Sequence, residues 1–101
     1  MAVYVDDMIR LPKNAGVGPA WHWPSSCHLW ADTLLELAVF AQKLALKDGW
    51  LQASRRPGRL TFIHFDLNEP KRAAAIHLGA KPVGQAGLKD HLRRLRGERQ
   101  C

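Results

Sequence analysis

Apolar and polar side chains alternate along residues 60–67. Leu60, Phe62, His64 and Asp66 fall on one side of an extended chain, and Thr61, Ile63, Phe65 and Leu67 on the other. The stretch is rich in aromatic and β-branched residues and is bounded by Pro57-Gly58 and by Asn68-Glu69-Pro70, which predicts a strand. Both sides are apolar in its first half, so the strand is expected to be covered on both faces. Asn68 is a good N-cap, Pro70 is tolerated in a first helical turn, and the Ala-rich run to Gly79 predicts a helix.

A second pattern has helical period. Leu34, Leu37, Ala38, Ala41, Leu44 and Ala45 recur on one side, with Glu36, Lys43 and Lys47 on the other. Thr33 with Glu36 fits a capping box, with Asp32 as the competing cap, and Asp48-Gly49 is the expected stop. Ala2 to Asp7 reads as a short strand with Val3, Val5 and Asp7 on one face and Tyr4 and Asp6 on the other. Residues 8–27, broken by Pro12, Gly16, Gly18, Pro19 and Pro24, read as a long irregular connection. Trp50-Leu51-Gln52 reads as a brief strand, 53–59 as a basic turn, and Lys81 to Val83 as an edge element. Leu88, His91, Leu92 and Leu95 give the final basic helix a narrow apolar stripe.

These elements predict an α/β fold. A small, mostly parallel sheet of three to four strands is flanked by two main helices, with a basic C-terminal helix added. Residues 1–85 are expected to form the compact domain and 86–101 a basic C-terminal helix or tail. The 101 residues suffice for one domain and not two.

Composition narrows the classes. The net charge of +6 is concentrated near the end, in Lys89, Arg93, Arg94, Arg96 and Arg99, and permits an anionic partner, nucleic acid included. Cys27 and Cys101 form neither a disulfide framework nor a zinc signature. With no signal-like start and no apolar run that spans a bilayer, no membrane role is expected. The expected location is the cytoplasm, or the host cytoplasm for a phage-encoded chain.

Candidate chemistry gathers where the strands end. A strand at 2–7 running in the same direction as the one at 60–67 brings Asp6 and Asp7 to the sheet edge that carries His64 and Asp66, the edge where open α/β sheets bind ligands. Lys71 and Arg72 stand in a first helical turn, where the dipole disfavours cations; together with free backbone N–H groups they suit an anion. Asp6, Asp7, His64 and Asp66 are also candidate ligands for a divalent metal, with His28 beside them. Plainer roles exist for each: a hydrogen-bonded core histidine, a strand-ending aspartate, a solvated cation. Trp21 and Trp23 either stack on a ligand's base or fold back over the sheet.

Several short motifs occur in a fixed order: Tyr4-Val5-Asp6-Asp7, His28-Leu29 with Ala31-Asp32-Thr33, Phe40-Ala41, Trp50 with Gln52, His64-Phe65-Asp66, Lys71-Arg72 and Gly79-Ala80. Over roughly residues 2–83 the chain resembles the bacterial and phage family of domain of unknown function 4031. The resemblance implies no reaction. It draws attention to Asp6, Asp7, His28, His64, Asp66, Lys71 and Arg72, and leaves the tail after residue 84 outside.

The leading expectation is a binding module for an anionic, nucleotide-like or phosphorylated ligand held by Lys71, Arg72 and the helix start. The alternatives are a metal-dependent hydrolase of phosphodiesterase type, and an accessory protein that binds nucleic acid or protein through its basic tail.

Overall fold

The computed structural model describes residues 2–10, 24–56 and 60–100. The elements in chain order are β1 (Val3–Val5), β2 (Ile9–Arg10), β3 (Ser25–Ala31), α1 (Leu34–Lys43), a 3₁₀ turn at Asp48–Trp50, β4 (Gln52–Arg56), β5 (Leu60–Leu67), α2 (Glu69–His77), β6 (Lys81–Pro82) and α3 (Gln85–Gln100). Five strands form one sheet in the order β4-β5-β3-β1-β6, with β2 paired to β3 off that path. Among the described residues no helix is long and apolar enough to cross a membrane.

The α/β class holds, but the sheet differs from the expectation. It has six strands and is mostly antiparallel, not three to four mostly parallel ones; only β1 and β6 pair in parallel. The reason is β3. Its polar Ser25, Ser26 and His28 hide the strand pattern, so the stretch reads as a loop leading into α1. In the fold, Cys27, Leu29 and Ala31 take one face of the sheet and Ser26, His28 and Trp30 the other. β3 inserts between β1 and β5 and runs antiparallel to both. β1 and β5 therefore run in the same direction without touching, and their carboxyl ends share one sheet edge. The expected basic turn after Gln52 is likewise a strand, hairpinned onto β5 through Arg56.

The core lies on one face. Val5, Cys27, Leu29, Ala31, Phe65 and Leu67 pack against Leu37, Phe40, Ala41 and Leu44 of α1 and its end, and against Ala75 and Ala80 of α2 and its exit. Thr33 caps α1 by accepting from the Glu36 amide at 3.2 Å. Asp32 turns instead to β1, accepting from Ala2 N at 3.1 Å and from the Tyr4 hydroxyl at 3.0 Å. α1 ends before Asp48-Gly49: Ala45 takes the left-handed conformation, φ 58°, that usually falls to glycine. Asn68 caps α2 by accepting from Lys71 N at 2.9 Å.

The opposite face is aromatic and polar. Tyr4 stacks on Trp30 at 5.8 Å, and the Trp30 and Phe62 rings meet edge to face at 5.8 Å. Phe62 stacks on His64 at 4.6 Å. α3 lies against this face through buried His91, whose ring centroid is 5.8 Å from Trp30 and 6.1 Å from Phe62. The basic C-terminal helix that the sequence predicts is α3, and it packs on the sheet through His91.

Candidate metal centre

The alternation of side chains builds the site. On β5, His64 and Asp66 point to the aromatic face because they are two residues apart. His28 on β3 stands directly opposite Asp66, and Gln52 on β4 directly opposite His64. Asp6 follows the last residue of β1, and its amide donates to the His28 carbonyl at 3.3 Å, extending the ladder by one step. Five side chains from four strands therefore meet at one end of the sheet.

Asp6 is 1% exposed and spends both carboxylate oxygens on His28. One accepts the His28 backbone N–H at 2.6 Å, the other the ring Nδ1–H at 2.7 Å. His64 is buried, and its Nδ1 lies 3.1 Å from the Phe62 carbonyl. A carbonyl oxygen only accepts, so Nδ1 carries the proton in that bond. Each ring has its Nδ1 committed and its Nε2 left with a lone pair.

His28, His64 and Asp66 stand close together. One nitrogen from each of His28 and His64 and one oxygen of Asp66 lie within 4.8 Å of one another. The two rings meet edge on with centroids 5.0 Å apart, and His64 Nε2 is 3.4 Å from Asp66 Oδ1. Two ligands of one ion, each about 2.1 Å from it, stand roughly 3–3.5 Å apart at right-angle to tetrahedral geometry. The His64–Asp66 pair, at 3.4 Å, already has that spacing. A single proton bridges two of the three acceptors; a divalent cation satisfies all three. Burial pushes the Asp66 carboxyl up, but when the rings are protonated the hydrogen bond and charge of His64, the charge of His28 and the Gln52 amide outweigh it and hold the carboxyl below its ordinary value; a cation would take the place of those ring protons. Asp66 is therefore an anion at neutral pH.

Two histidines and one carboxylate form a catalytic type of metal set, because three protein donors leave at least one position open. The back-bonding of each ring, one to a carboxylate and one to a main-chain carbonyl, is the arrangement that orients histidines toward a metal and fixes their tautomer. Gln52 adds a third support: its Nε2 donates to Asp66 Oδ2 at 2.6 Å.

The other expected site residues go elsewhere. Asp7 is exposed, 3.9 Å from the Arg72 guanidinium. Lys71 reaches across to α1 and donates to the Leu44 carbonyl at 2.6 Å. Arg72 donates from Nε to the Asp6 carbonyl at 2.8 Å, fixing the strand end on which Asp6 stands. Both cations thus serve main-chain carbonyls. Trp21 and Trp23 lie outside the described residues. Of the candidates, Asp6, His28, His64 and Asp66 come together: Asp6 holds His28, and His28 stands with His64 and Asp66 in the group that could hold a metal ion. Gln52 was missed as a site residue. Its signal in the sequence was an amide side chain at the start of a strand, two residues beyond Trp50.

No curated protein and no solved structure matches the chain. One protein family does, over residues 3–96, and the match takes in most of α3, which the resemblance in the sequence had left outside. Since it spans nearly the whole chain, this protein belongs to the family of domain of unknown function 4031.

Proposed function

We propose that this protein is a metal-dependent hydrolase. His28, His64 and Asp66 hold one divalent cation, and a bound water becomes the nucleophile. The observation that carries this reading is that one ligand-type atom from each of His28, His64 and Asp66 lies within 4.8 Å of the others, while each histidine has its Nδ1 within hydrogen-bond distance of an acceptor. A cation held by three protein donors with a water in the open position lowers that water's pKa to about 7, giving hydroxide near neutral pH. The surroundings favour a redox-inert ion such as zinc. Phe62 stacks on His64 and Trp30 packs on Phe62, so oxidising chemistry would be generated beside oxidisable rings.

An anionic substrate enters this reading through the metal, not through Lys71 and Arg72, which serve main-chain carbonyls. A phosphoester suits the net charge of +6 and offers an oxygen for the cation to polarise.

Chelator-stripped protein titrated with Zn²⁺, followed by calorimetry and native mass spectrometry, tests the centre. One ion per chain is expected, with binding abolished in His64→Ala and Asp66→Asn. A wild-type chain that takes up no zinc, or variants that bind it as well as wild type, would end this reading. The reaction class is tested separately with a generic phosphodiester, bis(p-nitrophenyl) phosphate. Cleavage that requires added zinc and is lost in Asp66→Asn is the expected result.

A further inference from the structure

We propose that Gln52 is the residue that keeps this centre open and selects an oxyanion for the open position. The inference rests on the metal reading above and adds to it the class of ligand.

The Asp66 carboxylate is divided between two neighbours. Oδ1 lies 3.4 Å from His64 Nε2, in the cluster of donors, while Oδ2 accepts from the Gln52 amide at 2.6 Å. One oxygen is left for a cation, so Asp66 is held as a single-oxygen ligand. Gln52 sits on the edge strand directly opposite His64 and is exposed, whereas His64 is buried and Asp66 mostly so. Gln52 therefore forms the solvent side of the site, where an incoming ligand passes.

The chemistry of an amide decides the rest. An amide nitrogen with its two hydrogens is a donor and not a metal ligand. A glutamate at the same place would bring an anionic oxygen as a fourth donor beside Asp66 and fill a coordination position; glutamine, with its Nε2 turned to Asp66, holds that carboxylate in place and adds no charge. Of the two Nε2 hydrogens, one is used on Asp66, and no second acceptor for Gln52 occurs among the described residues. The remaining N–H suits an acceptor on whatever occupies the open position. A donor preset where negative charge collects on oxygen is a device for stabilising oxyanions. The ligand class is therefore an oxyanion such as a phosphoryl group.

The test uses the full chain loaded with Co²⁺, whose visible absorption reports coordination number, and inorganic phosphate as the probe. Wild type is expected to bind one Co²⁺ and to change its spectrum as phosphate binds. Gln52→Glu is expected to bind Co²⁺ more tightly, to start from a spectrum with one more protein ligand, and to lose about 10-fold or more in phosphate affinity. Gln52→Ala is expected to lose about 10-fold in Co²⁺ affinity, as supports of metal ligands commonly do, and to bind phosphate more weakly. If both variants match wild type in spectrum and phosphate affinity, the role of Gln52 is overturned while the metal centre stands. If wild type takes up no Co²⁺, both fall, and the first titration shows it.

Discussion

The two faces of the sheet are made by the same strands and do opposite work. Residues 27, 29, 65 and 67 put cysteine, leucine and phenylalanine against α1 and α2, and every one is at most 3% exposed. Residues 28, 64 and 66, interleaved with them, put two histidines and an aspartate on the other side. The first face holds no group that needs a partner beyond the packing itself. The second is crowded with groups that compete for partners. The two buried side-chain polar atoms without a hydrogen-bond partner among the described residues, Trp30 Nε1 and Ser54 Oγ, belong to strand positions on this second face. The second face also buries Trp30 and Phe62, so both faces contribute apolar burial, but only the second combines it with buried polar groups that need partners.

The largest effect should separate these roles. Leu29→Ala, at a position with no exposure, is expected to cost about 2–5 kcal/mol through lost burial and a cavity. Asp66→Asn keeps an acceptor for Gln52 and is expected to cost about 1 kcal/mol while abolishing zinc binding. Urea unfolding measures both. Comparable losses in the two variants would erase the distinction between the faces.

The faces should also fail at opposite ends of the pH scale. Burial pushes the Cys27 thiol from 9.0 up to about 12, with nearby Asp6 adding to the shift. The folded chain keeps that proton where the unfolded chain releases it. The associated stability is intact below pH 9 and drains away towards pH 12, by a total on the order of 4 kcal/mol. Cys27→Ala should remove this alkaline slope from the urea midpoints. Asp66 acts in reverse: its folded carboxyl ionises below the ordinary value of 3.8, so its contribution is present above that value and is lost as pH falls through the folded one. Asp66→Asn should flatten the acid limb and leave the alkaline limb alone.

Zinc should act on one face only. At a free concentration 100 times the dissociation constant it is expected to stabilise wild type by about 2.7 kcal/mol, reversibly with a chelator. Asp66→Asn should show no such shift in melting temperature. A zinc shift that survives in this variant would place the ion elsewhere.

The smallest prediction concerns a position remote from both lone-pair donors and core. Ala45 holds a positive φ at the end of α1, so Ala45→Gly should stabilise by roughly 0.5–1 kcal/mol with zinc affinity unchanged. Chemical denaturation and a zinc titration on the same sample check both halves.

Much of the site was legible because strand alternation is local. His64 with Asp66, and Asp6 apart from Asp7, follow from counting by two. The capping roles of Thr33 and Asn68 follow from local side-chain chemistry in the same way. What could not be read depends on partners far along the chain. β3 was hidden because a strand whose polar residues Ser26 and His28 sit on a covered face loses its apolar rhythm, and the antiparallel order followed from β3. Lys71 and Arg72 stood out as charges, but their acceptors are main-chain carbonyls 27 and 66 residues away, which no residue type announces. Gln52 gains its meaning only from standing beside β5.

Those two adjacent cations also set a timetable for the nascent chain. Lys71 ties α2 to the end of α1, and Arg72 ties it to the carbonyl of Asp6. As residues emerge from a ribosome in order, Asp6 and His28 become available early. The strand carrying His64 and Asp66, and then the guanidinium that fixes Asp6, arrive later, with residues 60–72. Both ties made by α2 therefore form only after the elements they hold have been made.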